Sequence, residues 1–133
     1  MKIVIKKVYK QLKMFIIRKK FKLKKKNVHK TFYVAKGVSL APDLKAGAFS
    51  YVGSNSQIYP KVKIGDYTMI SSNVNIIGGD HVYDVVGVPI TFSDRGVIKQ
   101  TNIGKDVWIG ANVTIIVGVK ICLLYTSPSP RDA

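Results

Sequence analysis

An aliphatic residue recurs every six positions along the centre of this chain, and this period strongly limits the folds that the chain can adopt. The first series has eight members: Val34, Leu40, Ala46, Val52, Ile58, Ile64, Ile70 and Ile76. A small, β-branched or aliphatic residue follows four positions after each of the first seven: Val38, Leu44, Ser50, Ser56, Val62, Thr68 and Val74. An α-helix needs apolar steps of about 3.6 residues and a half-buried strand needs steps of two, so neither template fits.

A short strand that turns a corner every six residues accounts for both series. Each strand would point one aliphatic side chain into a prism, small residues would fit the corners, and successive coils would hydrogen-bond to one another. Turn-forming residues such as Gly47, Gly53, Asn55 and Asn73 lie between the two series. The sequence therefore predicts an all-β solenoid of hexapeptide repeats with about four coils.

The period is interrupted once. It resumes as Val97, Ile103, Ile109, Ile115 and Ile121, with the second series continuing as Thr101, Val107, Val113 and Val119. The step from Ile76 to Ile103 is not a multiple of six, so residues 77–96 are predicted to leave the solenoid as one extruded loop. Because excursions from a repeat fold tend to carry function, the polar cluster in this loop is the candidate site.

The formal net charge of +15 belongs mainly to an N-terminal arm. Residues 1–30 hold 13 of the 22 Lys and Arg residues and no Asp or Glu, which leaves the rest of the chain almost neutral. Five apolar residues recur there at helical spacing: Ile5, Val8, Leu12, Phe15 and Ile16. Residues 1–30 are therefore predicted to form a basic amphipathic helical arm.

Two roles compete for this arm. It could cap the open end of the β-fold, or it could rest on an anionic membrane surface. The longest uncharged run, Met14 to Ile17, is far shorter than the ~20 residues that a bilayer span needs. We expect a cytoplasmic protein, with peripheral contact at the inner face of the membrane as the alternative, and we expect no nucleic-acid partner.

The repeats and the loop resemble a known family. Ile64-Gly-Asp-Tyr-Thr, Ile103-Gly-Lys-Asp-Val-Trp-Ile-Gly, Gly78-Gly-Asp-His81 and Gly87-Val-Pro-Ile90 are similar to segments of the hexapeptide-repeat acyltransferases. This family includes the galactoside, maltose, xenobiotic and capsular-polysaccharide O-acetyltransferases. The resemblance covers residues 31–121 and implies a left-handed parallel β-helix, a homotrimer with active sites between subunits, and acetyl-CoA as the donor. It also implies a hydroxyl acceptor on a sugar, polysaccharide or other small molecule.

His81 matches the catalytic base of that family, and its chemistry suits the role. Acyl transfer from a thioester to a hydroxyl needs a group that accepts the hydroxyl proton and returns it to the leaving thiol, and an unperturbed imidazole titrates near pH 6.5, about where both steps are accessible. Asp80 and Asp84 are the nearest carboxylates in sequence, so they are the candidates to orient the ring. Backbone N–H groups near Gly78 and Gly79 are candidates to stabilise the oxyanion.

Trp108 follows Val107 of the inward series, so it is predicted to point out of the coil. The resemblance implies that Trp108 and Ala111 lie at the coenzyme A site, while a subunit contact without ligand is the alternative for the tryptophan. No metal is expected, because the zinc carbonic anhydrases of this fold need three imidazole ligands and the chain has only His29 and His81.

Residues 122–133 abandon the period and carry two Ser-Pro pairs. They resemble translated sequencing-adapter read-through, and we expect a non-native, unstructured tail that follows a truncated domain. In the family, a further coil grips the pantetheine arm of the coenzyme, and this chain does not contain the matching segment. The alternative function is therefore a catalytically inactive β-helix fragment that acts as a scaffold or binding module.

Overall fold

The computed structural model describes residues 2–122, and this part of the chain consists of one α-helix followed by short strands. Helix α1 covers Lys2–Lys20, and a 3-10 helix covers Ile90–Phe92. The strands are β1 Tyr33–Val34, β2 Ser39–Leu40, β3 Lys45–Ala46, β4 Tyr51–Val52, β5 Gln57–Ile58, β6 Val62–Ile64, β7 Met69–Ile70, β8 Asn75–Ile77, β9 Thr101–Ile103, β10 Trp108–Ile109, β11 Thr114–Ile116 and β12 Lys120–Ile121.

The strands form three parallel sheets, and the chain visits the sheets in turn. The first sheet has the order β1-β4-β7-β10, the second β2-β5-β8-β11 and the third β3-β6-β9-β12. Strands β1 to β5 each pair with the strand three hexads further along, as Tyr33 with Tyr51 and Tyr51 with Met69. The pairing therefore has the period found in the sequence.

The core lies between the three sheets and is made of the two predicted series. Every member from Val34 to Ile76 is buried in both, with at most 7% of its surface exposed. The buried hydroxyls of the second series are also satisfied: that of Thr68 donates to the Gly104 carbonyl and accepts from the Val107 N–H in the next coil. Neighbouring segments of the sheets are therefore joined by these buried hydroxyls as well as by strand pairing.

Asparagines occupy corners where the backbone is left-handed. Asn55, Asn73 and Asn112 have φ values of 59°, 56° and 62°. Asn tolerates this region better than other residues with a Cβ, which explains its place at these turns. The prediction that Asn55 and Asn73 lie at turns is confirmed, and Asn112 has the same backbone conformation.

One segment leaves the sheets, between β8 and β9. Before it, Tyr51 pairs with Met69 three hexads further on, whereas across it Met69 pairs with Trp108, so the excursion interrupts the regular register. It spans residues 78–100 rather than the predicted 77–96. Ile77 still pairs with Ile116 in the second sheet, and the chain rejoins the third sheet only at Thr101.

Three residues assigned to the inward series are exposed. Val97 is 81% exposed because it lies in the excursion, before the chain re-enters the fold. Val113 and Val119 are 36% and 41% exposed. They belong to the last coil of the described residues, where strand pairing comes from one side only.

Helix α1 packs against the β-fold through its C-terminal half. Met14 is buried, and Ile17 and Phe21 pack against the core. The Arg18 guanidinium donates hydrogen bonds to the carbonyl oxygens of Val28 and His29 at 3.2 and 2.7 Å, and partial burial lowers the pKa of Arg18. No helix within residues 2–122 has the length and apolar character needed to span a bilayer.

The structure corrects two features of the predicted arm. The α-helix ends at Lys20, so residues 21–30 are a connection to the β-fold rather than more helix. The predicted apolar face, marked by Val8 and Leu12, is exposed, and the face that contains Met14 packs instead. Met14 and Ile17 lie on the side of the helix that contacts β1.

The inward and outward positions of one strand give a matched stability test. Ile58→Ala should lower the free energy of unfolding by about 2–5 kcal/mol, because it leaves a cavity among buried neighbours. Gln57→Ala on the same strand should change it by less than about 0.5 kcal/mol, since Gln57 is exposed. Urea unfolding followed by circular dichroism measures both, and equal losses would contradict the assigned inside of the fold.

Candidate active-site loop

The excursion folds as a small hairpin that holds His81. Residues 80–82 run antiparallel to residues 94–96, and His81 forms a bridge with Arg95. Two backbone hydrogen bonds of 2.7 and 2.8 Å flank this pair. The backbone of His81 is thus fixed on both sides, although it lies outside the three sheets.

The imidazole of His81 is oriented by Ser93. The Nδ1 atom lies 3.0 Å from the backbone carbonyl oxygen of Ser93 and 3.4 Å from its hydroxyl, which itself donates to the Ile90 carbonyl. A carbonyl can only accept, so Nδ1 carries the hydrogen in the neutral ring. The lone pair is then on Nε2, and the half-buried ring can present this nitrogen to a substrate.

Neither carboxylate proposed to orient the ring takes this position. Asp80 and Asp84 are exposed, and in residues 2–122 the hydrogen bonds of the His81 ring go to Ser93. Sequence reasoning missed Ser93 because the partner is a backbone carbonyl, which no residue type marks. Only the pairing within the hairpin brings this distant carbonyl to the ring.

The two glycines before His81 allow the chain to leave the sheet. Gly78 is buried, and a Cβ there would collide with the side chain of Val117. Gly79 has a φ of +77°, in the left-handed region that glycine adopts without strain. Glycine is therefore required at 78 by packing and at 79 by the turn, and the role of both as oxyanion donors stays a prediction.

Trp108 points outward from β10, as its position after Val107 predicted. It is 76% exposed, and its Nε1–H donates to the Ser71 hydroxyl at 3.1 Å. Ala111 is exposed in the turn that follows. Trp108 belongs to the first sheet, whereas the loop is anchored on β8 and β9 of the other two sheets. A single chain therefore places Trp108 on a different face from the strands that carry His81.

The outward residues give each sheet its own surface chemistry. In register order, the first sheet presents Tyr33, Tyr51, Met69 and Trp108, the second Ser39, Gln57, Asn75 and Thr114, and the third Lys45, Lys63, Asn102 and Lys120. The rings of Tyr33 and Tyr51 stack at 6.0 Å between centroids. We call the first of these surfaces the aromatic column; Trp108 ends it.

His29 differs from His81 in its surroundings. It is exposed at the start of the β-fold, and its Nδ1 accepts the backbone N–H of Thr31 at 3.2 Å. Because an N–H can only donate, the hydrogen of the neutral His29 ring is on Nε2. No group of three or more metal-ligating side chains occurs within residues 2–122.

No protein-family profile, curated protein or solved structure matches this chain. The geometry of the loop therefore carries the functional proposal.

The two histidines should be opposite tautomers. At a pH well above the imidazole range, ¹⁵N NMR should find the hydrogen of His81 on Nδ1 and that of His29 on Nε2. The reason is that a carbonyl faces Nδ1 in one ring and an N–H faces it in the other. A hydrogen on Nε2 of His81 would contradict the assignment of that nitrogen as a base.

Proposed function

We propose that this protein is an acetyl-CoA-dependent O-acetyltransferase with His81 as the general base, built on a left-handed parallel β-helix. The observation that carries the proposal is the Ser93 carbonyl at the Nδ1 of His81, which leaves Nε2 free to accept a proton. The register of three hexads and the turn of the chain through three sheets support the β-helix.

The proposed reaction needs one proton carrier. Nε2 of His81 accepts the proton of the acceptor hydroxyl as its oxygen attacks the thioester carbonyl. The carbon–sulfur bond then breaks, and the imidazolium returns the proton to the leaving thiolate, which gives the ester and free coenzyme A. The Ser93 carbonyl holds the ring and stabilises its positive charge between the two transfers.

The two halves of the proposed site come from different subunits of a homotrimer. His81 and Trp108 are carried by different faces of one chain, so a neighbouring copy would bring a loop against the aromatic column. Trp108 and Ala111 would line the coenzyme groove at that contact. The 76% exposure of Trp108 and 51% exposure of Met69 support a surface that a partner covers.

The kinetics of two single variants, one at each histidine, test the catalytic proposal. Thiol release from acetyl-CoA with a panel of sugar acceptors should fall on the order of 10² to 10⁴-fold in kcat for His81→Ala, with little change in the KM for acetyl-CoA. His29→Ala is the matched control and should retain full activity, because within residues 2–122 its ring hydrogen-bonds only to Thr31, far from the loop in sequence.

Two outcomes would overturn parts of this proposal. If the folded protein releases no thiol with any acceptor, the alternative of a β-helix scaffold or binding module is favoured. If His81→Ala keeps more than about a third of the activity, the base is another group.

Trp108 separates the coenzyme groove from a plain subunit contact. Trp108→Ala should raise the Kd for acetyl-CoA by about tenfold or more, since it removes a large stacking surface, while light scattering still finds a trimer. Calorimetry measures the first quantity. Loss of the trimer would instead assign Trp108 to the subunit contact, and the affinity would then fall with it because the proposed groove lies between subunits.

A further inference from the structure

Helix α1 has two apolar faces, and in the described residues 2–122 only one of them packs against the β-fold. Met14, Ile17 and the following Phe21 pack against the core. The opposite side carries a second set, which we call the apolar stripe, and its members are 48 to 63% exposed. The stripe consists of Ile5, Val8, Leu12, Phe15 and Ile16.

Within residues 2–122, the N-terminal half of the helix buries no side chain against the β-fold. Every residue from 2 to 12 is exposed, including Ile3, which lies on the side of Met14 but is 82% exposed. Lys2, Lys6 and Lys10 follow one another at a spacing of four, where like charges repel. Helices in proteins gain most of their stability from packing of an apolar face, so a partner surface would stabilise this half.

The charges of α1 specify the chemistry of that surface. The helix contains eight Lys and Arg residues and no acidic residue. At 100° per residue, Lys2 and Lys6 lie along one side of the apolar stripe and Lys7 lies towards the other. An apolar stripe flanked by lysines matches an anionic lipid surface, where side chains such as leucine enter the acyl region and lysines reach the phosphates.

The packed end of the helix is compatible with this arrangement. The Nζ atoms of Lys10 and Lys13 lie 4.9 and 5.0 Å from the centroid of the Tyr33 ring, on the side of the helix that faces the β-fold. Arg18 is held by two carbonyl groups of the connection that follows. These contacts fix the direction in which the apolar stripe faces, which is away from the β-fold.

We propose that residues 2–16 of α1 lie on an anionic lipid membrane with the apolar stripe inserted, while residues 14–21 hold the β-fold through the opposite face. Capping and membrane contact then use different faces of one helix, so they are not alternatives. The proposal is independent of the proposed enzyme activity.

Flotation of the full chain with vesicles tests the proposal. Binding should be strong to a mixture of phosphatidylcholine and phosphatidylserine, weak to phosphatidylcholine alone, and lower at high salt because ions screen the lysines. Leu12→Gln should weaken binding to the mixed vesicles by about tenfold or more, since it removes one inserted side chain. Ile3→Gln is the matched control and should change binding by less than about twofold, because Ile3 is exposed but lies opposite the stripe.

A fluorophore can report the orientation directly. In a Cys122→Ser background, which removes the single cysteine of the chain, an environment-sensitive dye is attached at Leu12→Cys or at Ile3→Cys. Vesicles that contain phosphatidylserine should shift the emission to the blue at position 12 and leave it nearly unchanged at position 3. Equal shifts at both positions would overturn the inserted stripe.

Other partners predict different results. If a second copy of the chain covers the stripe, Leu12→Gln changes the mass found by light scattering and not the lipid binding, and the proposal fails. Tyr9 and Phe15 lie among the lysines, so a nucleic-acid surface is also tested. Salt-sensitive binding to single-stranded DNA, together with equal flotation of Leu12→Gln and the unchanged chain, would overturn the membrane proposal.

Discussion

The parallel backbone pairing of strands three hexads apart is the interaction on which the rest of this structure depends. Strands as short as these do not form a stable sheet alone, and each gains its hydrogen bonds from the coils before and after it. A short strand can take part only if its inward residue faces the same core as its neighbours. The hexad series meets this condition, which is why Ile58, Ile70 and Ile76 are all buried.

This pairing also tolerates the excursion that carries His81. The strands on both sides of residues 78–100 still pair residue by residue in the same sheet, since Val62 pairs with Thr101 and Lys63 with Asn102. The paired strands therefore fix the positions of the two ends of the excursion and constrain little of the chain between them. The hairpin inside it has its own hydrogen bonds, and these position the imidazole.

The sequence predicted the core well and the surroundings of the candidate site less well. Buried residues recur at a fixed spacing in the strands, so residues such as Val34 and Thr68 could be assigned to the core from the sequence alone. Val97 has the right residue type at the right spacing but lies before the chain re-enters the sheets. In α1, Met14 to Ile17 is apolar on all sides, so no pattern in it could indicate which face the first coil meets. Nothing in the sequence indicates that Ser93 orients His81, because its backbone carbonyl reaches the ring only through the pairing of the hairpin.

The use of a backbone carbonyl to orient His81 makes that orientation unusually resistant to mutation. A carboxylate in this role can be lost by a single codon change, whereas any residue that replaces Ser93 still supplies a carbonyl oxygen. The tautomer would change only if the path of the hairpin changed, through an insertion, a deletion or a proline that shifts residues 93–95. Substitutions at position 93 should therefore leave the orientation of His81 unchanged. The length of the loop is the property that should be kept among related sequences.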